Sequence, residues 1–514
     1  MRKEILVLAV LAASAGSAQA ALTIANGPTS NVSCVAGVCT ATATNAQLGA
    51  HQLKALLNAR DVTVVAGSQA NDIAVEATIH WTSSRGLTLD SRHSLRIDST
   101  IDVAGPGALT LTTNDGAQGG TLSFGAHGNV HFWSTSNSLT VNGASYTLVD
   151  TIAALASAIA ATPSGNYALA GAYDATPDGT YAAAPIPTTY TGTFEGLGNA
   201  IANLRIDTPE KRAGLFAMIG TGGAVEDLVL KAANVRSTVH RFPQVGALAA
   251  VSFGRIENVT VHAAVSATRF AHVGGIIGDG FGASIIGSSM QGIVRSDHGG
   301  EVGGLAGNMG GSPNTIANSH SSATIAGAVD SYAGGLVGVF TGLVTKSWAS
   351  GAVSVKDEKN TGPIASAGGI VGYLVGFTTN NSMVLNCYAS GAVSAGAGAA
   401  AGGLIGLYFD QAPTDGPIVS SYSTGTVSAG GFAGGAIGYR QQYLGTQNIY
   451  WDTDTSGVTD LSKGVGNHAN DPGVTGLSDA QLKSGLPAGF SAAVWAQNPH
   501  YLGGLPFLIA NLPE

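Results

Sequence analysis

Along most of this chain, apolar residues alternate with polar ones in runs too short for helices. "IENVTVHAAV" runs from Ile256 to Val265 and "VTKSWASGAV" from Val344 to Val353, each with branched apolar residues at both ends. Between such runs stand a glycine pair, an apolar pair and a further glycine. The pairs are Gly274–Gly275, Gly303–Gly304, Gly334–Gly335, Gly368–Gly369, Gly402–Gly403 and Gly434–Gly435. From first glycine to first glycine the steps are 29, 31, 34, 34 and 32 residues. Degenerate copies precede them at Gly214 and Gly246. The alternating elements begin at Ile256, Ile285, Ile316, Val344, Val384 and Ile418. A period of this size marks one supersecondary unit, stacked many times.

Alternation with period two predicts short strands with one apolar face, and glycine supplies the angles of sharp turns between them. One unit cannot bury its apolar face alone; stacked units can, with strands ~4.8 Å apart. The expectation is an all-β, right-handed parallel β-helix, one coil per repeat. A propeller blade needs ~40–45 residues, more than these steps supply. A leucine-rich repeat is excluded by the missing leucine framework. The paired glycines are expected at close turns with positive φ, their small size letting coils approach.

A few short helices interrupt the pattern. Ala46–Asn58 carries Leu48, Leu53, Leu56 and Leu57; Asp150–Ala161 has Asp150 as a candidate N-cap and Pro163 beyond its end. Ser478 before "DAQLK" reads as a further N-cap. Five segments follow: a signal peptide (1–20), an N-terminal β-rich section (21–145), a helix and loop connector (146–190), the repeat solenoid (191–450) and a C-terminal cap over its end (451–514).

Stacking aligns like positions. One rung runs Asn258, Gly287, Asn318, Lys346, Asn386, Ser420, and the next Val259, Ser288, Ser319, Ser347, Cys387, Ser421. Cys387 thus sits among small residues, as a structural thiol would. The following rung holds His320, Trp348, Tyr388 and Tyr422. It is either an exposed strip for sugar stacking or a buried stack. Alternation from Ile316 through Asn318 turns His320 inward and favours the buried stack.

Composition narrows the class. The 514 residues include 74 glycines, 45% are hydrophobic and 10% charged, the reverse of a disordered chain. No Gly-X-Y period marks collagen. Arg2 and Lys3, the apolar "ILVLAVLAA" and "AQA" ending at Ala20 predict a cleaved signal peptide and export. Cleavage removes Arg2, Lys3 and Glu4, taking the net charge from −9 to −10. That charge argues against nucleic acid or anionic lipid as partners, and no later segment is a spanning candidate. Cys34 and Cys39 bracket Gly37. In an oxidising compartment they are expected to pair, the alternative being two free thiols in a flexible segment.

Searches for chemistry return little. His127 and His131 are read on one strand face, with no third ligand for a metal. "DGFGAS" lacks the lysine and the strand–helix setting of a phosphate loop. The solenoid acids Asp279, Asp297, Glu301 and Asp330 share no ladder position, so no catalytic pair is assigned. In "DTDTSGVTD", Asp452, Asp454, Ser456 and Asp460 match calcium-loop spacing, but Lys463 stands where a bidentate acid is needed. An acidic turn satisfying its own amides is the other reading. No cofactor is expected.

The repeated "GGLVG…N-S-x-A-x-G-x-V" unit resembles the GLUG repeat of filamentous-haemagglutinin-like bacterial adhesins. "YTGTFEGLGNAIANLRI" at Tyr190–Ile206 resembles the segment leading into those repeats. "NIYWDTDTSG" at Asn448–Gly457 and "TGLSDAQLKSGLPAGF" at Thr475–Phe490 resemble their closing segment. Ile79–Leu111 is similar to the haemagglutinin-type β-helix. The resemblance implies an extracellular or cell-surface β-helix with an adhesive role and no catalytic residues, while the missing "NPNG"-type secretion signature of that family leaves the periplasm as the other location. Its implied partners are glycans or proteins on host or neighbouring cells. A polysaccharide-acting lyase or glycoside hydrolase and a structural envelope spacer are the alternatives.

Overall fold

The computed structural model describes residues 20–117, 119–356, 365–376, 382–410, 418–441 and 445–514; the signal-peptide residues 1–19 lie outside them. The architecture is a parallel β-helix. In its N-terminal part each coil contributes three short strands. One sheet stacks Asp72–Val75, Leu95–Ile97 and Leu122–Phe124, and a second stacks Ile79–Trp81, Ile101–Val103 and Val130–Phe132. A third stacks Leu87–Asp90, Ala108–Thr112 and Ser138–Val141. Register places Ile73, Leu95 and Leu122 in one row and Leu87, Leu109 and Leu139 in another, all facing the core. Burying each such side chain contributes about 1.5–3 kcal/mol, and the rows repeat it coil after coil.

Helix α1 (Ala50–Leu57) covers the first coils with Leu53 and Leu57 and shields strand edges that would otherwise recruit other chains. Beside it, Val32–Val35 and Val38–Ala41 form an antiparallel hairpin. Cys34 and Cys39 are disulfide-bonded across it, and Gly37 turns it at φ 96°. Helix α2 (Ile152–Ala161) buries Ile152, Leu155 and Ile159. Its N-cap is Thr151, not Asp150: the Thr151 hydroxyl accepts the Ala154 amide at 3.1 Å.

The stack continues into the repeats. Val130 N–H donates to Leu197 C=O at 3.0 Å and Phe132 N–H to Ala170 C=O at 2.7 Å, so the two parts share one ladder. In the repeats, an eight-stranded parallel sheet forms, six of its strands ending on the first glycine of a pair. Register aligns Gly246, Gly274, Gly303, Gly334, Gly368, Gly402 and Gly434. Ile256, Ile285, Ile316, Val344, Val384 and Ile418 form a row in the core.

The paired glycines do not serve as positive-φ turns; none of them has φ above zero. They permit close approach instead. A Cβ on Gly274 would lie 2.0 Å from Ile277 O, and one on Gly335 2.0 Å from Gly369 O of the next coil. Positive φ falls on the other rung: Asn258, Gly287, Asn318, Lys346, Asn386 and Ser420 all lie between 48° and 58°.

The C-terminal segment also departs from expectation. Gly464 and Val465 add to the ladder beside Ile437, and Val474–Leu477 pairs with Thr446–Asp452, making a further turn of the helix. From Ser478 the chain does not sit over the end. It runs back along the side of the solenoid, starting with α3 (Asp479–Lys483), whose N-cap Ser478 forms a capping box with Gln481.

Candidate functional site

The left-handed rung decides what faces outward. One residue at positive φ in each coil breaks the alternation, so the residue after it turns inward. Ser288, Ser319, Ser347, Cys387 and Ser421 are all fully buried. Each serine hydroxyl takes an amide of the preceding coil: Ser319 Oγ accepts Ser288 N–H at 3.1 Å and donates to Ala317 C=O at 2.8 Å. Ser421 Oγ accepts Cys387 N–H at 3.0 Å. Burial pushes the Cys387 thiol up to about 12, which keeps it protonated and unreactive.

The next rung therefore points out of the coil, contrary to plain alternation from Ile316. His320 stacks on Trp348 at 4.3 Å, Trp348 on Tyr388 at 5.8 Å and Tyr388 on Tyr422 at 5.4 Å. Trp348, Tyr388 and Tyr422 are nonetheless buried, because the segment after Ser478 lies over them. Leu482, Phe490, Trp495 and Leu508 pack on the stack. Trp348 Nε1 donates to Asn511 C=O at 3.1 Å, and Tyr450 Oη to Ala488 C=O at 3.0 Å. Asn511 Nδ2 donates to Ser319 and Lys346 carbonyls, each at 3.1 Å. The aromatic rung is neither inside the coil nor open to sugars; it is the seat of a lateral strap.

A different surface carries titratable groups. Glu195, Glu226 and Glu257 occupy one ladder position on successive coils, which corrects the expectation that solenoid acids share none. Asp227 and Asn258 follow two of them. The cluster faces Thr113, Thr121 and Asn142 of the N-terminal coils across a cavity of about 190 Å³. Arg255 bridges Glu226 and Glu257. Glu195 Oε1 accepts Leu197 N–H at 2.8 Å, and Asp227 Oδ1 accepts Asn258 Nδ2 at 3.0 Å. Burial, followed by the charge of Asp227, holds the Glu195 carboxyl well above its usual range. Burial also raises Asp227 and Glu226, with Arg255 opposing. Carboxyls with raised pKa values thus lie side by side with an arginine, an arrangement that general acid–base chemistry can use. The missed signal was spacing: the three glutamates lie 31 residues apart, one repeat step each.

The remaining sequence candidates are placed as follows. His127 lies in the turn before the strand Val130–Phe132, so it does not share that strand with His131. His131 Nδ1 instead meets Asp102 at 2.9 Å, with His80 on the other oxygen at 2.6 Å. Asp279 and Glu301 flank His272, at 2.5 and 3.4 Å. In the acidic turn, Asp452 Oδ1 accepts the amides of Asp454 and Thr455, and Asp460 Oδ1 that of Ser462. Asp454 Oδ2 accepts the Asp479 amide, and Ser456 Oγ that of Val458. The turn thus satisfies backbone amides, the second of the two readings above. Among the described residues, no group of three or more His, Cys, Asp or Glu could hold a metal ion.

No family model matches the chain. Halomucin of Haloquadratum walsbyi is 32% identical over 105 residues, covering 20% of this chain and 1% of that protein. A solved structure of an IgA1 protease is 21% identical with a TM-score of 0.39, covering 53% of this chain and 21% of that one. The chain thus spans a small part of either protein, and neither likeness assigns it an activity.

Proposed function

We propose that this is an exported, surface-acting β-helical protein of the GLUG-repeat adhesin type, which works by contact along its side wall and not by catalysis. The observation that carries the reading is the wall itself. Parallel sheets run through the repeats in fixed register, so each outward position recurs once per coil. Weak contacts repeated along a rigid wall gain strength through avidity. The partners in this reading are glycans or proteins on host or neighbouring cells, with no cofactor. Deleting the gene is expected to weaken attachment or aggregation of the producing cells, with the protein recovered from medium or outer surface on fractionation. Normal attachment by the deletion strain would reject the reading.

The acid ladder supports a second reading, a polysaccharide-acting hydrolase. Carboxyls on adjacent rungs start ~4.8 Å apart at the backbone, near the ~5–5.5 Å separation of a retaining pair. The cavity ranks it second: about 190 Å³ is below the ~300–1,000 Å³ typical of small-molecule pockets. Polymer cleavage by purified protein, abolished in Glu195→Gln, would put the enzyme first.

A further inference from the structure

Where the strands Val229–Ser237, Thr260–Ala267, Ser289–Ser296 and Thr324–Ala326 give way to the next sheet, each coil passes a left-handed residue. These are Phe242 (φ 51°), Phe270 (φ 46°), Gly299 (φ 63°) and Asp330 (φ 57°). Glycine and aspartate suit that conformation; a bulky aromatic residue is an outlier there. Both phenylalanines are also exposed, at 58% and 36%, so burial does not offset the strain. Their rings lie 6.3 Å apart, one coil above the other, and His298 meets Phe270 edge-on at 5.5 Å. A Cβ at position 299 would come within 2.8 Å of the Phe270 ring, so glycine there leaves the ring its place.

Charge gathers at the same corner. The Arg269 guanidinium stands 5.2 Å from the Phe270 ring centroid. Lys211 and Arg241 are exposed on neighbouring coils, and among the described residues neither makes an ion pair. The same turns also carry the acids Glu210, Asp297 and Asp330, so the cations form individual binding points and not a continuous basic patch. Strained backbone kept at exposed aromatic residues points to use by a ligand.

We propose that this corner binds a carboxylate-bearing polysaccharide. The two rings offer a stepped apolar platform for the C–H faces of consecutive sugars. The guanidiniums beside them take the carboxylates in paired hydrogen bonds. A uronate polymer presents a C–H sugar face beside every carboxylate, which suits rings and guanidiniums set side by side; a bilayer surface presents no such face. The inference rests on the surface-contact reading above and names its ligand class.

Affinity electrophoresis of the full chain through gels containing polygalacturonate, alginate or dextran tests it. Retardation by both uronates and not by dextran is expected. The double variant Phe242→Gly/Phe270→Gly is expected to lose about tenfold or more in affinity while melting no lower than the parent, since glycine is at ease at positive φ. Arg241→Ala/Arg269→Ala should weaken retention similarly. Unchanged retention of the glycine double variant would overturn the proposal. So would a large fall in its melting temperature, which would make the rings structural. Tighter binding to phosphatidylserine vesicles or single-stranded DNA would overturn it in favour of those partners. If gene deletion abolishes attachment but the glycine variant attaches normally, the corner is rejected while the surface-contact reading stands.

Discussion

The N-terminal coils and the repeat coils solve one problem in two ways. Both must close a chain around an apolar interior while stacking at the strand spacing. The N-terminal coils do it with strands of three to five residues and rows of Leu, Ile and Val, exemplified by Leu87, Leu109 and Leu139. The repeat coils use paired glycines pressed against neighbouring backbone and a left-handed residue at the same rung of each coil. Both keep apolar rows, but the repeat coils add, at one position of the coil, a glycine pair where no side chain fits. They should therefore fail under opposite mutations.

The largest expected effect tests that contrast directly. In Gly335→Val even the Cβ would meet Gly369 O at 2.0 Å, with Ala349 Cβ at 2.7 Å. Backbone cannot give way as a side-chain tip can, so the loss should exceed about 4–5 kcal/mol. In the N-terminal stack the damaging change is removal of volume: Leu109→Ala should cost about 2–5 kcal/mol. Chemical denaturation of both variants would check this. A Gly335→Val protein as stable as Leu109→Ala would break the distinction.

The strap is a feature of the repeat half alone, and Trp495→Ala probes it. Trp495 is buried against Tyr388, Tyr422 and Phe490, and its Nε1 donates to Asn386 Oδ1 at 3.1 Å. Truncation should cost about 3–5 kcal/mol. Limited proteolysis should then cut first after Ser478, leaving the solenoid intact. Cleavage within the N-terminal coils before the strap would contradict lateral docking.

Much of this was legible in sequence, for a physical reason: stacking forces equal spacing, so aligned rungs could be read from recurrence. The roles of those rungs were not legible. A glycine pair reads equally well as a left-handed turn or as room for a neighbouring backbone; only the backbone angles separate the two. In sequence Asn318 is one step of an alternation, yet its φ of 49° reverses the facing of the residues that follow it. His320 and Trp348 consequently point outward. The acid ladder was missed because Glu195, Glu226 and Glu257 lie where the glycine motif is degenerate or absent. Docking of the strap depends on contacts such as Asn511 with Ser319, separated by 192 residues, and no repeat announces them.

Histidine contacts sharpen the comparison through pH. In the repeat half, burial acts to lower the His272 pKa. The hydrogen bond that His272 donates to Asp279 and the charges of Glu301 and Asp279 overcome it, raising the value to about 9. Folded protein thus binds this proton more tightly than unfolded chain, whose value is about 6.5. Its contribution is full below about pH 6.5 and is lost as pH rises through about 9, amounting to roughly 3 kcal/mol at most. In the N-terminal half, His80 and His131 on Asp102 are more open to solvent, at 38% and 42% side-chain exposure. Melting temperatures between pH 6 and 10 should fall for the parent and fall less steeply in His272→Gln, where the raised carboxyls of Asp227 and Glu195 keep their own share of the decline. A parallel fall in His272→Gln would assign the dependence elsewhere.

The smallest effect concerns the left-handed rung, and it should be a gain. Lys346 sits there at φ 48°, half-buried, and makes no ion pair among the described residues. A side chain in that conformation costs about 1–2 kcal/mol, which glycine would recover. Glycine also loses about 0.5–1 kcal/mol more conformational entropy on folding. The Lys346 carbonyl, which accepts from Asn511 Nδ2, is kept in either case. Lys346→Gly should therefore stabilise by about 0.5–1 kcal/mol, whereas Lys346→Ala should change little because alanine keeps the Cβ that makes the angle unfavourable. Thermal denaturation of the two variants side by side decides the matter. If alanine stabilised as much as glycine, the lysine chain and not the backbone angle would be the source of strain, and the rung would lose its claim to set the facing of the coil.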